Sequence, residues 1–120
     1  MSERIKKINS LIKKELGKII LKELSLAKNI LVTVTEVETS KDLSQSKVFI
    51  SVFPEKEAKK VLVALNREIY NIQQILNKRL EIKFVPKIEF FEDKELQREQ
   101  KVDRILSELE ENRTLKNQRN

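Results

Sequence analysis

The chain has 120 residues, with 25 lysines and arginines against 19 aspartates and glutamates, and neither histidine nor cysteine. Missing both residues, it lacks the usual general base, the best thiol nucleophile, the commonest zinc ligands and any disulfide. The net charge of +6 favours a polyanionic partner, most often nucleic acid.

The length suits one compact domain, and a domain of this size buries roughly two-thirds of the surface its unfolded chain exposes. No apolar run reaches the length of a membrane span. The N-terminus passes directly into a charged amphipathic pattern, so no secretory segment is expected. The absence of cysteine fits a reducing cytosol, and a cytoplasmic protein is expected.

The first segment reads as a helix. Ile5, Ile8, Ile12, Leu16 and Ile19 recur at steps of three and four and form one apolar stripe, with Ser2 as N-cap. Lys7, Lys14 and Lys18 fall together on another face, and Lys6 and Lys13 flank the stripe. Gly17 lies off the stripe and reads as a tolerated weak point in the helix, in preference to a place where an RNA backbone approaches.

Two strands follow. Residues 30–38 are rich in β-branched side chains, and residues 47–53 place Val48, Ile50 and Val52 on one face and Phe49 and Ser51 on the other. The polar stretch 39–45 should reverse the chain and make the pair antiparallel. Phe49 reads as cross-strand packing in preference to a base-stacking platform.

From residue 55 to residue 80 the period is helical again. Ala58, Leu62, Leu65, Ile69, Ile72, Leu76 and Leu80 mark the stripe, and Pro54 stands at its start. This is long for a globular helix, so it either bends or comprises two helices end to end. Residues 81–91 read as a third strand with Ile82, Phe84, Ile88 and Phe90 on one face. Pro86 implies an edge position or a bulge there. A short helix is expected next, carrying Val102, Ile105, Leu106 and Leu109. Residues 111–120 are polar without apolar period and are expected to be disordered, leaving residues 1–110 as the domain. The fold class is α+β, with helices covering one face of a three-stranded sheet.

This element order resembles the type II KH fold, a nucleic-acid-binding scaffold. The blocks Val32-Thr33-Val34-Thr35, Ser40-Lys41-Asp42-Leu43-Ser44 and Lys47-Val48-Phe49-Ile50-Ser51-Val52 resemble the signature of the ribosome-binding factor A family. Ala64-Leu65-Asn66, Arg79-Leu80, Val85-Pro86-Lys87-Ile88 and Phe90-Phe91-Glu92-Asp93 agree in order and spacing. The resemblance covers roughly residues 4 to 109. It implies a non-catalytic factor that binds immature small (30S) ribosomal subunits and assists late maturation and 5′-end processing of 16S ribosomal RNA. It also implies a role in growth in the cold. The chain departs from KH-type patterns in three places. No Gly-x-x-Gly loop is present, Glu68-Ile69-Tyr70 stands where the family tends to have an Ala-x-Gly kink, and Leu26-Ala27-Lys28 replaces Asp-Pro-Arg before the first strand.

Without a glycine clamp, RNA binding must rest on charge and shape. The candidate RNA-binding residues are Lys6, Lys7, Lys13, Lys14 and Lys18 on the first helix, Lys41 and Lys47 by the hairpin, and Lys78, Arg79 and Lys83 before the third strand. Asp42 and Ser44 are expected to shape the turn instead. No catalytic residue, metal, cofactor or small-molecule substrate is expected, and the protein should be a monomer. The rival functions are an RNA-processing nuclease subunit and a protein–protein adaptor of subunit assembly. Because Glu68, Ile69 and Tyr70 all suit a helix, the segment 55–80 is expected to be gently bent or nearly continuous.

Overall fold

A computed structural model describes residues 2–26 and 28–94. The expected C-terminal helix and the polar tail lie outside these residues. Helix α1 spans Glu3–Glu23, and the Ser2 hydroxyl accepts from the Ile5 amide at 3.1 Å, satisfying one of the donors every helix start leaves open. The predicted stripe is the buried one: Ile5, Ile8, Ile12, Leu16 and Ile19 are joined by Ile20 and Leu24. Gly17 sits on the exposed side, where a Cβ would meet nothing within 4 Å. Relative to alanine, it costs the helix about 0.5–1 kcal/mol.

Strands β1 (Leu31–Thr39) and β2 (Gln45–Phe53) form the antiparallel hairpin. Strand β3 (Lys87–Glu92) pairs parallel to β2, so the sheet order is β1-β2-β3 with the hairpin's second strand in the centre. The register slips between Val34 and Glu36, which leaves Thr35 as a bulge. The Thr35 hydroxyl reaches both the Phe49 carbonyl and the Asp93 carboxylate, so the bulge ties β1 to the chain leaving β3. Val48, Ile50 and Val52 face the helices and are buried, as their alternation requires. On the other face Phe49 lies opposite Phe91, with ring centroids 5.8 Å apart; it packs on its cross-strand neighbour.

One expectation for the second half needs correction. The third strand begins at Lys87, six residues later than the apolar pattern suggests. Ile82 is only partly buried against the core, and Phe84 is 76 % exposed in the preceding loop. Pro86 explains the late start, because it cannot donate to the ladder. Its carbonyl instead accepts from Gln73 Nε2 at 3.1 Å, while Gln73 Oε1 takes the Ile88 amide at 2.9 Å. The long helical segment is nearly continuous, as expected, and consists of two helices end to end. A short 3-10 turn (Glu55–Glu57) leads into α2 (Ala58–Arg67), and α3 (Ile69–Arg79) begins after the single non-helical residue Glu68. The interruption is slight. The Glu68 amide still bonds the Ala64 carbonyl at 3.1 Å, and the Ile72 amide bonds the Glu68 carbonyl at 2.9 Å. In α2 the buried residues are Ala58, Val61 and Leu65, while Leu62 is only partly buried against the core.

Helix α1 packs on β1 and along α3, while α2 lies over β3 and β2. The bonds from Arg79 to Glu15 and from Asn71 to Glu23 show that α1 and α3 run antiparallel. The result is the two-layer α+β arrangement of a type II KH-like domain, with all three helices on one face of the sheet.

Candidate nucleic-acid interface

The apolar stripe of α1 decides which of its charges face out. Arg4, Lys7, Lys14, Lys18 and Lys22 follow one another along the opposite side of the helix at steps of three, four or seven, and all are exposed. From Lys7 to Lys18 is roughly 16 Å of helix axis. The sequence reading missed Arg4 and Lys22, although both continue the same helical spacing. Lys6 pairs with Glu3 at 3.8 Å and Lys18 with Glu15 at 4.0 Å, both within the helix. Lys7, Lys13 and Lys14 form no ion pair with any described residue.

The other predicted cations divide. Antiparallel packing brings the end of α3 beside the middle of α1, so Lys78 and Arg79 join the helical surface. Arg79, however, is engaged: its guanidinium donates to Glu15 Oε1 at 3.0 Å, leaving Lys78 as the more available charge. Lys41 projects from the hairpin turn. That turn is held near the N-terminal half of α1 by the Thr39 hydroxyl, which donates to Asn9 Oδ1 and shares a 2.7 Å hydrogen bond with the buried Ser46. Lys47 cannot join this surface. It alternates with buried Ser46 and Val48, so it lies on the open sheet face, opposite Glu38 and beside Glu89. Lys83 sits in the loop before β3, with its ammonium 5.6 Å from the Phe84 ring centre.

The hairpin turn is built by Asp42. Its Oδ1 accepts from the Ser40 and Ser44 hydroxyls, each at 2.7 Å, and from the Ser44 amide at 3.1 Å. These donors hold the carboxylate at about 2, down from its ordinary 3.8, the Ser40 hydroxyl contributing most. Leu43 adopts φ of 64°, left-handed for a non-glycine residue, and packs its side chain against the core. Asp42 and Ser44 therefore shape the turn, as expected. Among the described residues no group of three or more acidic, cysteine or histidine side chains is placed to hold a metal ion.

A family model described as ribosome-binding factor A matches residues 4–106 of the chain. The chain belongs to the ribosome-binding factor A family. It is 32 % identical over 110 residues to the ribosome-binding factor A of Halothermothrix orenii, covering 91 % of this chain and 90 % of that one. The Thermodesulfovibrio yellowstonii member is 35 % identical over 107 residues, covering 89 % and 91 %. The crystal structure of ribosome-binding factor A from Thermus thermophilus superposes with a TM-score of 0.62 at 27 % identity, over 73 % of this chain and 94 % of that one. A second Thermus thermophilus structure, a homology model fitted into a cryo-EM map of a 30S complex, gives a TM-score of 0.58 at 28 % identity, over 69 % and 88 %. Membership spans the sheet, all three helices and the cationic side of α1. Within this family scaffold the chain carries no glycine at the α2–α3 junction, where Glu68 alone interrupts the helix.

Proposed function

We propose that this protein binds the small ribosomal subunit through the exposed cations of α1. It would assist late maturation and 5′-end processing of 16S ribosomal RNA without catalysing a step. Family membership supports the reading, as does the relative whose structure was fitted into a 30S complex. The observation that carries it is the line Arg4, Lys7, Lys14, Lys18 and Lys22, held outward by a helix whose opposite side is anchored in the core. Such a line neutralises phosphates and releases counterions, giving affinity with little demand on base sequence.

The mechanism is positional. A surface that fits one arrangement of an RNA junction better than another shifts the RNA toward that arrangement while processing enzymes act. Residues 1–110 would carry this binding as one monomeric cytoplasmic domain, with a role in growth in the cold. No helix among the described residues is long and apolar enough to cross a membrane. Crosslinking the protein to immature small subunits and mapping both partners tests the reading. Crosslinks should concentrate on α1 and the end of α3 and reach ribosomal RNA. Crosslinks confined to ribosomal proteins would overturn it.

A further inference from the structure

Beside its core stripe, α1 presents a second line of residues toward β1. Ser10, Lys13, Lys14 and Gly17 form one wall of an open cleft of about 460 Å³, with Val32, Thr33 and Val34 opposite. Past Gly17 and Val32 the cleft runs into a second, of about 240 Å³, whose walls include Leu21, Leu24, Leu26, Lys28 and Leu31. Gly17 and Val32 border both, so they form one groove along β1. That strand is an edge of the sheet, and no described strand pairs along its outer side.

Three features of the groove point to its occupant. The chain's only glycine lies at the waist, where nothing inside the protein requires the missing Cβ. A residue without a side chain there leaves the waist open to an approach from outside. Leu21 and Leu31, 84 % and 61 % exposed, border the apolar half. Lys13, Lys14 and Lys28 line the groove, and among the described residues no carboxylate does. A free strand edge offers main-chain hydrogen bonds, and alternate side chains of an added strand enter neighbouring pockets. A nucleic-acid strand would use the lysines but neither the strand edge nor the leucines.

We propose that this groove docks an extended acidic peptide segment of a partner protein, added along the outer edge of β1. An aliphatic side chain would seat between Leu21 and Leu31, with carboxylates toward Lys13, Lys14 and Lys28. The site is distinct from the outward cation line proposed to meet RNA, although Lys14 borders both.

The full chain, labelled for amide NMR, is titrated with an end-blocked ten-residue peptide whose odd positions alternate glutamate and valine and whose even positions are serine, so that both side-chain types face the groove together. The same peptide with lysine for glutamate, and a ten-nucleotide oligouridine, serve as competing probes. The acidic peptide should move the amides of residues 17–21 and 31–34 saturably, and the lysine peptide should not. Gly17→Leu, which fills the waist, and Leu21→Glu, on the exposed border, should each weaken binding at least tenfold with an unchanged circular dichroism spectrum. Both replace exposed positions, so the fold is retained. Absence of shifts at these amides, equal affinity of folded variants, or oligouridine moving the same amides as strongly would each overturn the proposal.

Discussion

The Arg79 guanidinium donates to Glu15 Oε1 at 3.0 Å and fastens the last turn of α3 to the middle of α1. The bond crosses 64 positions of sequence and gives one of the predicted RNA-binding residues a partner within the protein. Arg79→Ala should destabilise the protein by about 1 kcal/mol or less, because the guanidinium is about a third exposed and water screens the pair. Lys78→Ala should leave the melting temperature unchanged. Thermal denaturation of both variants checks the contrast, and equal effects would deny Arg79 its bridging part.

The cation line of α1 makes a second expectation. Reversing Lys7, Lys14 and Lys18 to Glu should weaken small-subunit binding strongly with the fold intact, since none of them belongs to the buried stripe. With about five phosphate contacts, the logarithm of affinity should fall with the logarithm of salt at a slope of about −4 in the parent protein, and less steeply in the triple variant. Identical slopes would move the RNA-facing surface elsewhere.

Gln73 offers a test of the α3–β3 junction. Its side chain accepts from the Ile88 amide and donates to the Pro86 carbonyl and to Asn77. Gln73→Ala removes the partner of a part-buried amide and should cost about 1–3 kcal/mol. Urea denaturation measures it; a loss under about 0.3 kcal/mol would mean that the start of β3 is held by its ladder alone.

Asp42 gives a pH dependence whose sign follows from its lowered pKa. Its carboxylate is bonded in the folded hairpin and titrates at about 2, against an ordinary 3.8. The stability it adds is therefore complete above pH 3.8 and lost as pH falls toward 2. Melting curves of parent and Asp42→Asn should differ at pH 5 and converge near pH 2. A gap independent of pH would show that the aspartate shapes the turn without its charge.

Much of the architecture is written in local periodicity. The steps of three and four from Ile5 to Ile19, and the alternation of Val48, Ile50 and Val52, each state which side is apolar; burial of that side follows directly. The same arithmetic places Lys7, Lys14 and Lys18 in solvent. The family blocks extend this legibility to the hairpin turn, where Ser40, Asp42 and Ser44 are close enough in sequence to bond one another.

What lay beyond the sequence depends on residues far apart in the chain. The apolar pattern at Ile82 and Phe84 matches a strand, yet a strand needs a neighbour's free backbone, and the register with β2 begins only at Lys87. Glu68 suits a helix by propensity, but α2 lies over β3 and β2 while α3 lies along α1, and one residue between them leaves the helical conformation. Which cations remain available was likewise a tertiary matter: Arg79 meets Glu15 only because α1 and α3 run antiparallel. Gly17 shows the same limit from the other side. Its helix position is plain from the sequence, but the groove it opens exists only because β1 is an edge strand packed beside α1. Periodicity assigns each residue to a face; only packing decides what that face meets.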